Sequence, residues 1–294
     1  MQNKIKSIQK ILFTLLLITF LHYGLFAQGG DSISSRGKEL FFGLSLGPTR
    51  SLIKNNGTSS IESITSDKVN AFDGAAEVGY FFSRYIGLSS GIGFSSYGSL
   101  VKLDTYQNKL NAIDSENEAY ELRVTGTNIK ETQSIKYLYV PVYLNLRLPL
   151  TGKIGVFLQS GVNLAFAVNN KYTTEGTFTY KGYYSKYNVL LENLPIYGFP
   201  TNKAANSSGS PEVKPFTAFV VAAGGFDYFI NDKLQLAIMA TWNKSLSEVS
   251  AYSANTQFQL TPAVDQINSF MGGSSSVTAE SIGLSVRIRY FLKL

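Results

Sequence analysis

The chain of 294 residues contains no cysteine, a single histidine and a single tryptophan. Without cysteine there is no disulfide framework and no thiol for lipid attachment. The one histidine, His22, lies in an N-terminal leader, so the rest of the chain has neither His nor Cys and lacks the usual soft-metal ligands. No metal site and no cofactor is expected. Serine with a lysine or carboxylate base remains a formal nucleophile, but no spacing singles one out. Charged residues make up only 16% of the chain, whereas aromatics reach 13% and glycines number 26. That composition is too aromatic for disorder and too sparsely basic for a nucleic-acid partner.

The leader carries Lys4, Lys6 and Lys10, the apolar run Ile11 to Leu21, and Leu25-Phe26-Ala27 before Gln28. A basic start, a short apolar run and a small residue at the cut describe a signal peptide over residues 1–27, and the run is too short to span a bilayer comfortably. Its removal takes three lysines and no acid, lowering the formal charge from +6 to +3. Residues 28–38 are then a periplasmic segment, with Asp31-Ser32-Ile33 resembling a short acceptor for periplasmic O-glycosylation, and residues 39–294 form one domain.

Eight segments of that domain alternate apolar and polar residues: Glu39 to Arg50, Val69 to Phe82, Ile86 to Leu100, Ser134 to Leu148, Ile154 to Val168, Phe216 to Ile230, Leu234 to Leu246 and Thr278 to Leu292. In the last, Ile282, Leu284, Val286, Ile288, Tyr290 and Leu292 share one face, and Ser281, Gly283, Ser285, Arg287, Arg289 and Phe291 the other. Very short turns, at Ser83-Arg84, 149–153 and 231–233, take every second connection; long polar stretches, 51–68, 101–133, 169–215 and 247–277, take the others. The reading is an all-β fold: an eight-stranded antiparallel up-and-down transmembrane β-barrel with long extracellular loops, apolar outside and small or polar within. Tyr80, Phe81, Phe82, Tyr85, Phe226, Tyr228, Phe229, Tyr290 and Phe291 gather near the short turns and read as an interfacial girdle. Pro141, mid-strand, predicts a bulge or edge-like irregularity because it cannot donate a ladder hydrogen bond.

The stretch Tyr137-Leu138-Tyr139-Val140-Pro141-Val142-Tyr143-Leu144-Asn145-Leu146, followed by a short turn and Gly155-Val156-Phe157-Leu158-Gln159-Ser160-Gly161, resembles a hairpin of the PorT-like outer-membrane barrel proteins of Bacteroidetes-type bacteria. Gly224-Gly225-Phe226-Asp227 and Gly283 to Phe291 are similar to that family too, over roughly residues 39–294. The resemblance implies an outer-membrane location and, as partners, outer-membrane lipid, the barrel insertion machinery and other envelope or secretion proteins. It also implies an accessory role in protein secretion or gliding. Barrel enzymes resemble one another in using a histidine near the outer rim, so this chain is expected not to be an enzyme. Outer-membrane barrels typically end on an aromatic residue, whereas this chain ends Phe291-Leu292-Lys293-Leu294, leaving Phe291 or Leu294 as the insertion signal.

By strand parity Asp73, Glu77, Arg147, Asp227, Arg287 and Arg289 point inward, three acids against three bases. Charges in so narrow an interior are expected to pair or to be met by water. They form either a polar plug or the lining of a narrow pore for small solutes or ions. Gly91-Ile92-Gly93 has no following helix and reads as small residues easing strand curvature rather than a phosphate loop. The aromatics of 169–215 read equally as a recognition surface or as packing between loops.

Overall fold

A chain that alternates apolar and small or polar residues can satisfy its backbone in lipid only by closing its sheet, since an open edge would leave unpaired N–H and C=O groups. The computed structural model, which describes residues 38–56, 64–252 and 258–293, closes. Eight long strands form the ring: β1 (Glu39–Asn56), β2 (Thr65–Phe81), β3 (Ile86–Ile113), β4 (Ala119–Pro149), β5 (Ile154–Tyr184), β8 (Phe216–Phe229), β9 (Leu234–Ser245) and β10 (Ser276–Lys293). Each pairs antiparallel with the next, and β1 pairs β10 from Glu39↔Lys293 to Asn56↔Ser276. Two short strands, β6 (Val189–Leu191) and β7 (Lys203–Gly209), add to the upper part of β5. The expected leader, the segment before Lys38 and Asp31-Ser32-Ile33 lie outside the described residues.

The outward face is apolar around the ring. Leu44, Leu46, Ile92, Phe226, Ile238, Leu284 and Val286 are all exposed, while their strand neighbours Ser285, Arg287 and Ala237 are buried. Three short turns close one end by a common device. Ser83 Oγ accepts from the amides of Tyr85 and Ile86, Thr151 Oγ1 from Lys153 and Ile154, and Asn231 Oδ1 from Lys233 and Leu234. A side-chain acceptor at the start of each turn fixes the reversal locally.

At the other end much of the expected long loops at 101–133 and 169–215 is strand. Instead of stopping at Leu100, β3 runs on to Ile113, and β4 begins at Ala119 rather than Ser134. The reason is that the outer face of a sheet standing in water needs no apolar residues, so polar composition misled the boundary, while the inner face still buries Val101, Leu103, Val124 and Ile129 and the ladder Lys102↔Lys130 to Ile113↔Ala119 simply continues. Two register shifts shape this crown, between Thr127 and Lys130 and between Lys136 and Tyr137 of β4 against β5. A one-residue slip reverses which face a side chain takes. Thus β5 buries Phe157, Asn163 and Ala165 below the shift and Thr174, Phe178 and Tyr180 above it. Asn128, at φ 52°, occupies the upper irregularity, a left-handed conformation that asparagine tolerates better than most residues.

Pro141 produces no bulge. Its register against Asn163 of β5 is regular, and β3 keeps one register from Ser90↔Val142 to Gly93↔Tyr139, with the pairing pausing only at Gly91 and Ile92. The missing donor is absorbed by that pause.

Candidate functional site: the barrel lumen and its crown

Side chains of an eight-stranded barrel just fill its interior, and here they do so in layers. At the short-turn end Phe41, Phe81, Phe229 and Phe291 form a buried cluster, with Phe41 to Phe81 and Phe41 to Phe291 ring centroids 5.5 and 5.7 Å apart. Phe81, Phe229 and Phe291 therefore do not belong to an interfacial girdle; their odd-numbered parity turns them into the lumen, while Phe82, Phe226, Tyr228 and Tyr290 remain outside. Gly79 makes the room, since a Cβ there would strike the Phe41 ring.

The charged layer comes next. Glu77 Oε1 pairs with Arg289 at 2.9 Å, and Glu77 Oε2 accepts from Ser89 Oγ and Gln159 Nε2, both at 3.2 Å. Arg289 also donates to Asn145 Oδ1 at 2.7 Å. Arg147 pairs with Glu39 at 3.3 Å, a carboxylate outside the expected six, and donates to the Arg84 carbonyl. Arg287 donates to Gln159 Oε1 at 3.3 Å, and its Nε and Nη2 have no hydrogen-bond partner among the described residues. Asp227 is buried with Oδ1 likewise unpartnered. Among the six only Glu77 and Arg289 touch as an ion pair, because Glu39 takes Arg147 and a neutral amide takes Arg287.

Each inward arginine also lies on a phenylalanine ring. Arg147 sits 4.2 Å from the Phe81 centroid, Arg289 4.1 Å from Phe41 and Arg287 4.0 Å from Phe157. A guanidinium is weakly hydrated and stacks well on aromatic faces, so these rings offset part of its desolvation.

Above this layer lies a cavity of about 20 Å³, lined among others by Asp73, Glu77, Tyr139, Gln159, Thr241 and Asn243, room for about one water. Asp73 accepts the Tyr139 hydroxyl at 3.2 Å. Tyr139 fits there because Gly93 opposite lacks a Cβ that would meet its ring. An apolar layer follows, in which Tyr97 stacks on Phe219 at 4.7 Å and meets Tyr137 edge-on at 5.8 Å.

The segment after β9 closes the upper mouth. A short 3₁₀ turn, Phe270–Gly273, is wholly buried, with Phe270 packed among Val101, Leu103, Ile129, Phe178 and Tyr180, and Met271 in the layer beneath. One carboxylate anchors it. Glu131 of β4 is 0% exposed, and accepts from the Phe270 amide at 3.0 Å, Ser269 Oγ at 2.8 Å, Thr174 Oγ1 at 2.6 Å and Gln133 Nε2 at 2.7 Å. No cation pairs with it among the described residues. Burial pushes its carboxyl above the ordinary glutamate range, against the pull of those hydrogen bonds. Glu131 and Glu39 escaped the sequence reading, although parity held the signal: Glu131 is in phase with Gln133, Ile135 and Tyr137, and Glu39 with Phe41.

The aromatics of 169–215 divide. Phe178 and Tyr180 are buried in the crown, and Tyr120 stacks on Tyr184 at 5.2 Å with Phe199 edge-on. Tyr184 and Tyr187 donate to Asp114 and Glu118, tying the β3–β4 tip to the β5–β6 tip. Ile196 and Tyr197, 95% and 72% exposed, stand beside them in water.

Among solved structures, similarity extends to Ail, the attachment invasion locus protein of Yersinia pestis, crystallised with the heparin analogue sucrose octasulfate (10% identity, 85% of this chain and 99% of that one, TM-score 0.28). It extends also to the outer membrane protein OprG of Pseudomonas aeruginosa (13%, 90% and 99%, TM-score 0.34) and the outer membrane protease OmpT of Escherichia coli (8%, 89% and 100%, TM-score 0.34). No curated protein matches the sequence. The family model described as "Outer membrane protein beta-barrel domain" matches residues 26–250, more than half of the chain. The chain therefore belongs to that family and is an outer-membrane β-barrel protein.

Proposed function

We propose that this barrel is a non-enzymatic, sealed anchor that presents its crown to other envelope components, as an accessory to a protein secretion or gliding system of the PorT-like kind. The observation that carries this reading is the filling of the lumen. A phenylalanine layer, a salt-bridged layer, an aromatic layer and the Phe270–Gly273 turn succeed one another along the axis, and the cavity between them holds about 20 Å³. A lumen so filled favours display over conduction. The ordered crown, with Ile196 and Tyr197 unburied at its tip, supplies a surface of the kind partners use. The sequence supports the PorT-like refinement through its Tyr137 to Gly161 hairpin, and export by a leader cleaved after Ala27.

The test is complementation. In a strain lacking the protein, the wild-type chain should restore secretion or gliding. Ile196→Ser with Tyr197→Ser should insert and fold normally, because both side chains already stand in water, yet fail to restore it. Full restoration by that double variant would remove the crown tip from the account.

A further inference from the structure

The interior charges do not balance. Around the charged layer Glu39, Asp73, Glu77 and Asp227 face inward against Arg147, Arg287 and Arg289, an excess of one carboxylate before Glu131 at the upper mouth is counted. The excess is felt at the cavity, where Asp73 receives only the Tyr139 hydroxyl, at 3.2 and 3.3 Å, and no ion pair among the described residues. Two neutral oxygens on the cavity wall are also unmatched. Asn243 is 2% exposed and gives its Nδ2 to Ser281 Oγ at 3.1 Å, while neither its Oδ1 nor Thr241 Oγ1 has a hydrogen-bond partner among the described residues. A buried carbonyl oxygen without a donor is costly and calls for one.

We propose that this cavity binds one small monovalent cation, of the sodium type, through the Asp73 carboxylate, Asn243 Oδ1 and Thr241 Oγ1. The chemistry selects the ion. All three groups are hard oxygen ligands, which excludes soft metals. Asp73 is the one carboxylate at the cavity without an ion pair among the described residues, since Glu77 is already committed to Arg289. A divalent ion such as calcium is commonly held by several carboxylates, and this cavity offers one that is uncommitted. A cavity of about 20 Å³ accepts one ion stripped of its shell rather than a hydrated one. The bound ion would neutralise Asp73 and brace β9 against β2. The inference concerns the interior and stands apart from the role proposed for the crown.

The test is refolding into detergent in sodium chloride or in choline chloride at equal ionic strength, followed by thermal unfolding. Sodium about tenfold above its dissociation constant should raise the wild-type Tm by about 3 to 6 °C over choline. Asp73→Asn, nearly isosteric, should remove the difference, and Thr125→Ser in the crown should keep it. Equal wild-type Tm values in the two salts, or an undiminished sodium effect in Asp73→Asn, would overturn the proposal and leave a water in the cavity. Should Asp73→Asn fail to fold, ion size decides on the wild type: a higher Tm in sodium chloride than in caesium chloride at equal ionic strength supports the site, and equal Tm values remove it.

Discussion

The backbone amide of Phe270 donates to the carboxylate of Glu131 at 3.0 Å, across 139 residues of sequence and at the point where the crown meets the lumen. Ser269 Oγ joins it at 2.8 Å, so one buried side chain of β4 holds the turn that closes the upper mouth. Breaking this contact separates closure of the mouth from integrity of the barrel.

Replacing Glu131 by alanine leaves the Phe270 amide, Ser269, Thr174 and Gln133 without their acceptor. Each buried group stranded in this way costs about 1 to 3 kcal/mol. Residues 258–277 should lose hydrogen-exchange protection and become sensitive to protease, while protection of the membrane ladder around Val286 and Leu284 stays unchanged. Glu131→Gln should fall between, since its amide keeps one acceptor.

The same carboxyl makes closure depend on pH. Its folded-state pKa is raised by burial, so the closed state binds the proton more tightly than the open one. Closure is then most favourable below the ordinary glutamate value of about 4.3, and weakens as pH rises from there through the elevated folded value. Protection factors at the Phe270 amide, corrected for intrinsic exchange, should fall with rising pH over that window in the wild type and stay flat in Glu131→Gln. A rise with pH would reverse the sign and refute the assignment.

Glu77 and Arg289 make the central ion pair of the lumen, 2.9 Å apart and both buried. Arg289→Ala should destabilise the barrel by about 3 to 5 kcal/mol, because an uncompensated carboxylate is left behind. Glu77→Gln with Arg289→Met should recover part of that loss, read from a double-mutant cycle of folding titrations in lipid. Additive single losses would mean that the two charges do not act as a pair.

Val286 faces outward between Ile288 and Leu284. An arginine there should cost about 2 to 4 kcal/mol in lipid folding titrations if it stands near the midplane. Thr125→Arg, exposed in the crown beyond the apolar band, should cost under about 0.5 kcal/mol. Equal penalties would place the bilayer elsewhere on the molecule.

Orientation follows from the contrast between the ends, and the absence of native cysteine makes it easy to read. A cysteine introduced at position 232, in a short turn, should resist impermeant maleimide on intact cells, and one at position 125 should react. The reverse pattern would invert the barrel.

What the sequence discloses here is set by the solvent. Lipid outside and packed side chains inside impose a strict period of two, so the outward run from Ile282 to Leu292 and the inward placement of Arg287 and Arg289 can be read directly. Above the bilayer the outer face meets water and turns polar, apolar residues remain on the buried inner face alone, and the upper halves of β3, β4 and β5 pass for loops. Glu131 was hidden by that change, and by the net acidity of the surrounding stretch. Phe81, Phe229 and Phe291 were hidden differently: aromatic composition near a turn suggested an interface, although their parity with Glu77, Asp227 and Arg289 already pointed inward. No local pattern could foresee that Arg147 would find Glu39, 108 residues away, since barrel closure alone brings them together.

The most direct test of the sealed-anchor account is conductance of the purified wild-type protein in planar bilayers. The layered interior should give no steady single-channel current, and Arg287→Ala should not open one, since the Arg287 side chain meets Gln159 and no carboxylate among the described residues lies within ion-pair distance of it. Steady currents from the wild type, with their ion selectivity shifted by Arg287→Ala and stability unchanged, would contradict the account and make the barrel a pore.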